Sequence, residues 1–179
     1  STRASASSGF ERPAQVRTLQ ADVAIIGAGT AGMAAYRAAL AHTQKILLIE
    51  GGPYGTTCAR VGCMPSKLLI AAAHAAHAVR HADQFGIHGG EMRIDGSAVM
   101  ARVRSERDRF VGFVTDAVDR WPVEHRLRGM ARFVDDHTLE VDGHTRVEAL
   151  RVVIATGSRP AFPQEWQHEL GDRLIFNDD

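Results

Sequence analysis

Two cysteines stand close together in the chain, and their spacing is the first sign of chemistry. They are its only cysteines and occur as Cys58-Ala-Arg-Val-Gly-Cys63. In an ideal helix, residues five apart rise about 7.5 Å and point about 140° apart, too far for a disulfide bond. A bond therefore needs a distorted first turn, which Gly62, without a Cβ, and Pro65, without an N–H, would permit. Strain would make the bond easy to reduce, and the nearby Lys67 would favour a thiolate. The segment predicts a redox-active pair, with Cys58, Cys63 and Lys67 as catalytic residues.

Two other interpretations of the cysteines stay open at this point. They could be buried structural thiols, or they could bind a metal together with His74, His77 and His81, which share one broad helix face. A five-residue cysteine spacing is longer than the usual zinc loop. The nearest histidine also lies about 16 Å further along the helix axis. We therefore predict no metal site and expect these histidines on a solvated helix face.

A glycine-rich loop provides a second candidate site. The segment Gly27-Ala-Gly-Thr-Ala-Gly32 matches G-x-G-x-x-G, follows a predicted strand and opens a predicted helix. Gly27 would allow the tight turn, Gly29 would let the backbone approach a pyrophosphate, and Gly32 would let the helix pack against the strand. Free N–H groups at the helix N-terminus favour phosphate. Glu50 ends the next predicted strand, where a carboxylate accepts hydrogen bonds from a ribose diol and repels a 2′-phosphate, so FAD or NAD fits better than NADP. The alternative is a glycine-rich turn without a ligand.

The elements that must position these residues alternate between strand and helix. Three apolar runs predict buried parallel strands, at 22–26, 45–49 and 152–155. Three Ala-rich or amphipathic stretches predict helices, at 30–42, 58–81 and 97–120. Three short β-prone segments with an Asp142-Gly143 turn predict a small meander, at 132–134, 138–141 and 145–147. The fold class is therefore α/β, a Rossmann-like parallel sheet with a small antiparallel β-meander insert.

The composition of the chain limits the kinds of partner and the cellular location that can be expected for it. Lys+Arg and Asp+Glu balance at 21 each, so charge gives no reason to propose nucleic acid or a membrane surface as partner. No apolar run approaches the roughly 18 residues of a membrane span. Residues 1–14 are small and polar without the apolar middle of a secretory signal, and we expect a flexible leader over residues 1–20. Two cysteines are too few for a small secreted protein that is held together by several disulfide bonds. A cytoplasmic location is therefore the default expectation.

From about residue 22 to its end, the chain resembles the N-terminal part of the pyridine nucleotide–disulfide oxidoreductases, nearest to the dihydrolipoamide dehydrogenases. Four motifs carry the resemblance, in the family's order and spacing: Gly27-Ala-Gly-Thr-Ala-Gly32, Glu50, Cys58-Ala-Arg-Val-Gly-Cys63-Met-Pro-Ser-Lys67 and Ala155-Thr-Gly-Ser158. The cysteine motif is the most specific of them. The Pro-Ser-Lys that follows Cys63 is shared by dihydrolipoamide dehydrogenases and mercuric reductases.

The resemblance implies a role for each motif. The glycine loop would hold the pyrophosphate of FAD, and Glu50 its adenosine ribose. Cys58 would be the thiol that exchanges with substrate, Cys63 the thiol in charge-transfer contact with the oxidised flavin, and Lys67 would lie by the flavin ring. Thr57 would lie near the phosphates. The segments 129–131 and 155–157 would contact the adenine and the flavin. The implied cofactor-binding set is Gly27, Gly29, Thr30, Ala31, Gly32, Glu50, Gly51, Thr57, Cys58, Gly62, Cys63, Lys67, Gly129, Ala131, Ala155, Thr156 and Gly157.

The resemblance also implies an activity and an assembly. The complete enzyme would oxidise dihydrolipoamide with NAD, through FAD and the Cys58–Cys63 disulfide, or would be a mercuric reductase or another thiol- or metal-handling flavoprotein. Its partners would be a small dithiol or disulfide substrate and a second copy of itself. Family members add NAD-binding and dimer-interface domains, so we expect residues 21–179 to be the N-terminal part of the FAD domain in a truncated chain with little turnover. A folded fragment without bound FAD is the further alternative.

The chain departs from the family pattern at Thr56 and at Ala59-Arg60, where the family commonly has Leu-Asn or Val-Asn. Thr56 replaces a glycine ahead of the first cysteine, which could alter how closely the backbone approaches the flavin. Arg60 replaces an asparagine between the cysteines. An arginine there could influence the approach of an anionic substrate, and the simpler expectation is a solvated side chain.

Overall fold

A computed structural model describes residues 16–174 of the chain. Residues 1–15 and 175–179, which include most of the expected leader, lie outside the described residues. In the described part six strands form one sheet: β1 (Arg17–Ile26), β2 (Ile46–Glu50), β3 (Arg126–Arg128), β4 (Ala131–Asp135), β5 (Thr138–Val141) and β6 (Thr145–Ile154). The helices are α1 (Thr30–Leu40), α2 (Thr57–Arg60), α3 (Cys63–Arg80), α4 (Gly96–Asp119) and α5 (Gln164–Leu170).

The sheet has a parallel part and an antiparallel part. Its strand order is β3-β2-β1-β6-β5-β4. The first four strands in that order pair in parallel, and β6, β5 and β4 pair antiparallel. This is the predicted fold class, a Rossmann-like sheet with an antiparallel β-meander, and the prediction is confirmed.

The meander and the last core strand differ from the prediction in one respect. We expected separate strands at 145–147 and 152–155, but Thr145–Ile154 is one continuous strand, β6. It pairs with β1 along its whole length, from Arg17↔Thr145 to Ile26↔Ile154. The intervening Glu148 and Arg151 resemble a break in the apolar pattern. They fit within a strand because backbone pairing with β1, rather than burial, holds this stretch together.

Other boundaries were missed as well. β1 begins at Arg17, so the predicted leader boundary at residue 20 was wrong, because it falls inside a strand. The short strand β3 was not predicted, and neither was α5. The predicted helix at 58–81 is divided into α2 and α3, with the division between the two cysteines.

Buried residues cover both faces of the sheet. On one face Ile25 and Leu48 pack with Met33 and Tyr36 from α1 and Val118 from α4. On the other, alanines and aliphatic residues of the parallel strands pack with Leu139, Val141 and Val147 of the meander, around Ala21, Ala24, Leu47, Ile49 and Ala149. The core therefore lies at the parallel strands, directly beneath the edge that carries the glycine loop.

Tyr36 of α1 contacts two residues of the segment that follows α4. Its side chain is fully buried, stacks on Trp121 with ring centroids 3.9 Å apart, and its hydroxyl lies 2.7 Å from Nδ1 of the buried His125. Burial raises the pKa of Tyr36, the negative charge of Glu124 adds to the rise, and Arg126 opposes it. The phenol thus stays neutral and joins α1 to the segment that follows α4.

The helices α3 and α4 pack against each other but bury little. None of the 18 residues of α3 is buried, and only Val103 and Val118 are buried in the 24-residue α4. Leu69 and Ile70 of α3 are about half exposed, at 46% and 50%. Among residues 16–174, no helix is both long enough and apolar enough to cross a membrane.

Candidate functional site

A cleft lies at the carboxyl ends of the parallel strands, where ligands bind in open α/β sheets. Three of these strands are followed directly by a glycine, Gly27, Gly51 or Gly129, and β6 is followed by Ala155. Backbone pairing extends into these turns, since the Gly27 N–H donates to Ile49 and the Ala155 N–H donates to Ile26, both at 2.8 Å. The cleft between the turns has a volume of about 360 Å³. Its floor is therefore backbone, fixed by the sheet.

The three motif glycines have different surroundings. Gly27 has a φ of +106°, and a Cβ there would lie 2.3 Å from the Ala155 carbonyl oxygen. A Cβ on Gly32 would lie 1.8 Å from the Gly27 carbonyl oxygen. Gly29, in contrast, lines the cleft, and a Cβ there would meet no atom within 4 Å. Packing of the protein itself requires Gly27 and Gly32, whereas the space beside Gly29 is open to a ligand.

The Glu50 carboxylate is held by two backbone N–H groups. Its Oε2 accepts from Ala28 and its Oε1 from Gly52, both at 2.7 Å. These bonds fix the plane of the carboxylate at the end of β2, and each oxygen keeps a second lone pair for another donor. The geometry fits the expected contact with a ribose diol.

The structure brings most of the implied cofactor-binding residues to the cleft. Those that line it are Gly27, Gly29, Glu50, Gly51, Thr57, Gly129, Ala131, Ala155, Thr156 and Gly157. The others lie outside its lining: Thr30 and Ala31 in the first turn of α1, Gly32 buried behind the loop, and Cys58, Gly62, Cys63 and Lys67 in the cysteine segment. Contact with FAD stays a prediction for each of them.

Sequence reasoning missed part of the lining. The residues that it did not assign to the cofactor are Ile26, Ile49, Gly52, Pro53, Gly55, Arg60, Val61 and Ser158. A signal for some of them was present, because Gly51-Gly-Pro-Tyr-Gly55 follows Glu50 directly. A glycine-rich segment after a strand that ends in a ligand-binding acid is itself a candidate for close backbone approach.

The cysteine segment contains the distortion that the spacing predicts. Helix α2 begins after Thr56, whose Oγ1 accepts a hydrogen bond from the Ala59 N–H at 3.0 Å. The N–H of Gly62 donates to the Thr57 carbonyl at 2.8 Å and closes α2, and α3 starts afresh at Cys63. A Cβ at Gly62 would lie 3.2 Å from that same carbonyl oxygen. The departure at position 56 thus has a structural role, since the threonine caps the helix that carries the first cysteine.

Both thiols are free and exposed, and they are adjacent to each other. A hydrogen bond with Cys63 raises the pKa of Cys58, and some desolvation adds to the rise. The positive charge of Lys67 acts in the opposite direction, as the helix spacing suggests. The pair therefore presents a hydrogen-bonded dithiol to solvent, with a cation close enough to stabilise a thiolate.

Two of the three histidines expected on a solvated helix face lie there, and the third, His81, follows the end of α3 and is partly buried. His74 and His77 are exposed, which confirms the solvated helix face, and His77 stacks on the partly buried His81 with ring centroids 4.1 Å apart. Within residues 16–174, no group of three or more His, Cys, Asp or Glu side chains could hold a metal ion.

Comparisons with known proteins agree with this geometry. The family model described as "Pyridine nucleotide-disulphide oxidoreductase" matches residues 21–173. A mercuric reductase from Streptomyces lividans is 40% identical over 154 residues, covering 79% of this chain and 31% of the relative. A mercuric reductase from Shigella flexneri is 39% identical over 148 residues, covering 79% of this chain and 26% of the relative.

A third relative carries a different name. A dihydrolipoyl dehydrogenase from Bacillus subtilis is 32% identical over 167 residues, covering 87% of this chain and 36% of the relative. The chain thus spans about a third of the length of these curated relatives. Family members use FAD, with NAD(P) as a second cofactor. With a family model over most of its length, a glycine loop, an anchored acid and a dithiol, the chain belongs to the pyridine nucleotide–disulfide oxidoreductases.

Proposed function

We propose that this chain is the N-terminal, FAD-binding part of a flavoprotein that exchanges electrons with a small dithiol or disulfide through Cys58 and Cys63. The observation that carries the proposal is the pair of exposed, hydrogen-bonded thiols beside a cleft that is open at Gly29. The complete polypeptide would be homodimeric, as the family resemblance implies.

The residues of the cleft fit FAD. The open space beside Gly29 admits a pyrophosphate against the N-terminus of α1, and the Glu50 carboxylate is oriented for the ribose. The turns at Gly129 and Ala155 line the rest of the cleft. Bound FAD supplies the hydride chemistry, while the protein supplies orientation and electrostatics.

The two thiols can carry out exchange with a disulfide substrate. The Cys58 thiolate attacks one substrate sulfur, forms a mixed disulfide and releases the other substrate sulfur as a thiolate, which takes a proton. The Cys63 thiolate then attacks the Cys58 sulfur, releases the second substrate thiol and closes the Cys58–Cys63 disulfide. Two electrons pass to the substrate, and a dithiol substrate drives the same steps in reverse. Lys67 favours the thiolate that begins the sequence.

We propose dihydrolipoamide and NAD as the substrates of the complete protein. The relatives named dihydrolipoyl dehydrogenase support this choice, and the Pro-Ser-Lys sequence after Cys63 is compatible with it as well as with a mercuric reductase. A mercuric reductase is the second candidate, favoured by the relatives of that name and by the accessibility of both thiols, which are good ligands for a soft metal. Dihydrolipoamide-dependent NAD reduction in the longer polypeptide would support the first, and Hg(II)-dependent NAD(P)H oxidation the second.

A visible absorption spectrum of this chain tests the proposal directly. FAD is added, unbound cofactor is removed, and two electrons are supplied under anaerobic conditions. We expect a bound flavin band with a new long-wavelength shoulder, and we expect the shoulder to be lost in Cys63→Ser. Absence of bound flavin from a chain with an intact α/β circular dichroism spectrum would contradict the cofactor assignment for this part of the protein.

A further inference from the structure

A second groove lies beside the cysteine segment, between α2, α4 and the turn after β2. Its volume is about 530 Å³, and it shares Pro53, Arg60 and Val61 with the flavin cleft. None of the cofactor-binding features, the glycine loop, Glu50 or the turn at Ala155, lines this groove. It is therefore continuous with the proposed flavin site yet distinct from it.

More positively charged than negatively charged side chains line the groove. Three guanidiniums line it, from Arg60, Arg107 and Arg128, with the carboxylates of Asp108 and Asp119. Both carboxylates are already engaged: Asp108 lies 2.8 Å from Arg107, and Asp119 lies 2.6 Å from Arg126 outside the lining. Within residues 16–174, the guanidinium groups of Arg60 and Arg128 have neither a carboxylate nor a hydrogen-bond partner.

The two unpaired arginines are also held in position. The Arg128 guanidinium lies over the Tyr54 ring, 4.6 Å from its centroid. The stem of Arg60 packs on Gly55, where an added Cβ would come within 3.2 Å of the arginine Cδ. Stacking occupies the face of a guanidinium and leaves its N–H edge free, the arrangement that suits bidentate binding of an anion.

We propose that this groove binds the phosphate group of a small ligand other than the flavin. Two guanidiniums offer enough charge for a phosphate dianion, and their planar N–H edges match its oxygens. The Tyr54 hydroxyl, which has no hydrogen-bond partner in the part of the chain the structure describes, is a further donor at the same wall. Because the flavin phosphates have their own binding position at Gly29 and the N-terminus of α1, the two anion sites can be filled together.

Titration of the chain with inorganic phosphate at constant ionic strength, followed by NMR of the arginine side-chain N–H groups, tests the site. We expect saturable shifts at Arg60 and Arg128. Arg60→Gln and Arg128→Gln should each weaken phosphate binding roughly tenfold or more, since a hydrogen bond to a charged group contributes about 1.5–3 kcal/mol. Arg104→Gln removes the same charge from an exposed position of α4 outside the groove and should leave binding within about twofold.

Two results would overturn the proposal. Equal weakening by all three substitutions, or shifts that never saturate, would reduce it to diffuse attraction of an anion by a basic surface. Displacement of phosphate by FAD would mean that the groove serves the flavin itself, whereas phosphate that remains bound in the presence of FAD supports a separate ligand. Circular dichroism melting of each variant confirms that the comparison is made between folded chains.

Discussion

The cleft at the sheet edge and the cysteine segment on the helix pair are built in opposite ways. The cleft consists of backbone turns packed so closely that a methyl group on Gly27 or Gly32 would clash with another carbonyl. The thiols lie on either side of the break between two helices, Cys58 in the four-residue α2 and Cys63 at the start of α3, which has no buried residue. Precision in the first region comes from the core beneath it, whereas the second depends on local hydrogen bonds and exposed side chains. Substitutions should therefore affect stability in the first region and reactivity in the second.

The largest difference in stability is expected between substitution of a core residue beneath the cleft and substitution of an apolar residue on α3. Tyr36→Ala removes a fully buried ring and leaves His125 without its hydroxyl partner, so we expect a loss of about 3–5 kcal/mol in the free energy of unfolding. Ile70→Ala, at a half-exposed position, should cost no more than about 0.5 kcal/mol. Urea unfolding followed by circular dichroism measures both, and equal losses would show that α3 is packed as tightly as the core.

Substitutions of two glycines in the same motif distinguish the effect of packing on stability from the effect of the loop on cofactor binding. Gly32→Ala places a methyl group 1.8 Å from a carbonyl oxygen and should destabilise the chain by about 1–3 kcal/mol. Gly29→Ala meets no protein atom within 4 Å, so its unfolding free energy should change by less than about 0.5 kcal/mol while its FAD affinity falls. Thermal melting measures the change in stability, and flavin fluorescence titration measures the change in FAD affinity. If Gly29→Ala bound FAD as the original chain does, the pyrophosphate would not lie at this glycine.

A smaller effect is expected at the cap of α2. Thr56→Ala removes the oxygen that accepts the Ala59 N–H and should cost about 1 kcal/mol. Because α2 has four residues, the loss should be local and appear as faster amide hydrogen exchange at Ala59, with the core amides unchanged. Thr56→Ser keeps the hydroxyl and serves as the control. Unchanged exchange in the alanine variant would mean that the cap does not hold the turn.

The smallest structural change concerns the thiols, and it should alter reactivity alone. The hydrogen bond that the Cys58 thiol donates to Cys63 raises the pKa of Cys58, so Cys63→Ala should lower that pKa and increase the thiolate fraction near neutral pH. Lys67 lowers the same pKa, so Lys67→Met should raise it and slow the reaction. The pH dependence of alkylation by iodoacetamide measures both, with Lys45→Met as the matched control. A slower reaction in Cys63→Ala would contradict this account.

The same contrast explains how far the sequence alone could lead. The glycine loop, Glu50 and the break between the cysteines are local features, since each follows from residue types a few positions apart. The continuity of β6 was not visible, because Glu148 and Arg151 interrupt the apolar pattern and only pairing with β1 keeps them extended. The three-residue β3 likewise exists through its pairing with β2.

The groove was hidden from the sequence for a related reason. Arg60 and Arg128 are far apart in the chain, and nothing in their local sequence shows that they line one surface. The sequence also could not predict that α3 has no buried residue, because its alanines and leucines are as compatible with burial as with exposure. Local chemistry was therefore predictable, and the surfaces formed between distant segments were not.

The pairing of β1 with β6 also bears on how the chain reaches its fold. The two longest strands of the sheet lie side by side, yet more than a hundred positions separate Arg17 from its partner Thr145. Contacts between such distant residues slow folding, because a long loop must close before they form. During synthesis, β1, α1 and β2 can assemble early, but β1 keeps one open edge until the ribosome has released β6. In that interval the edge is a template for pairing with another nascent chain.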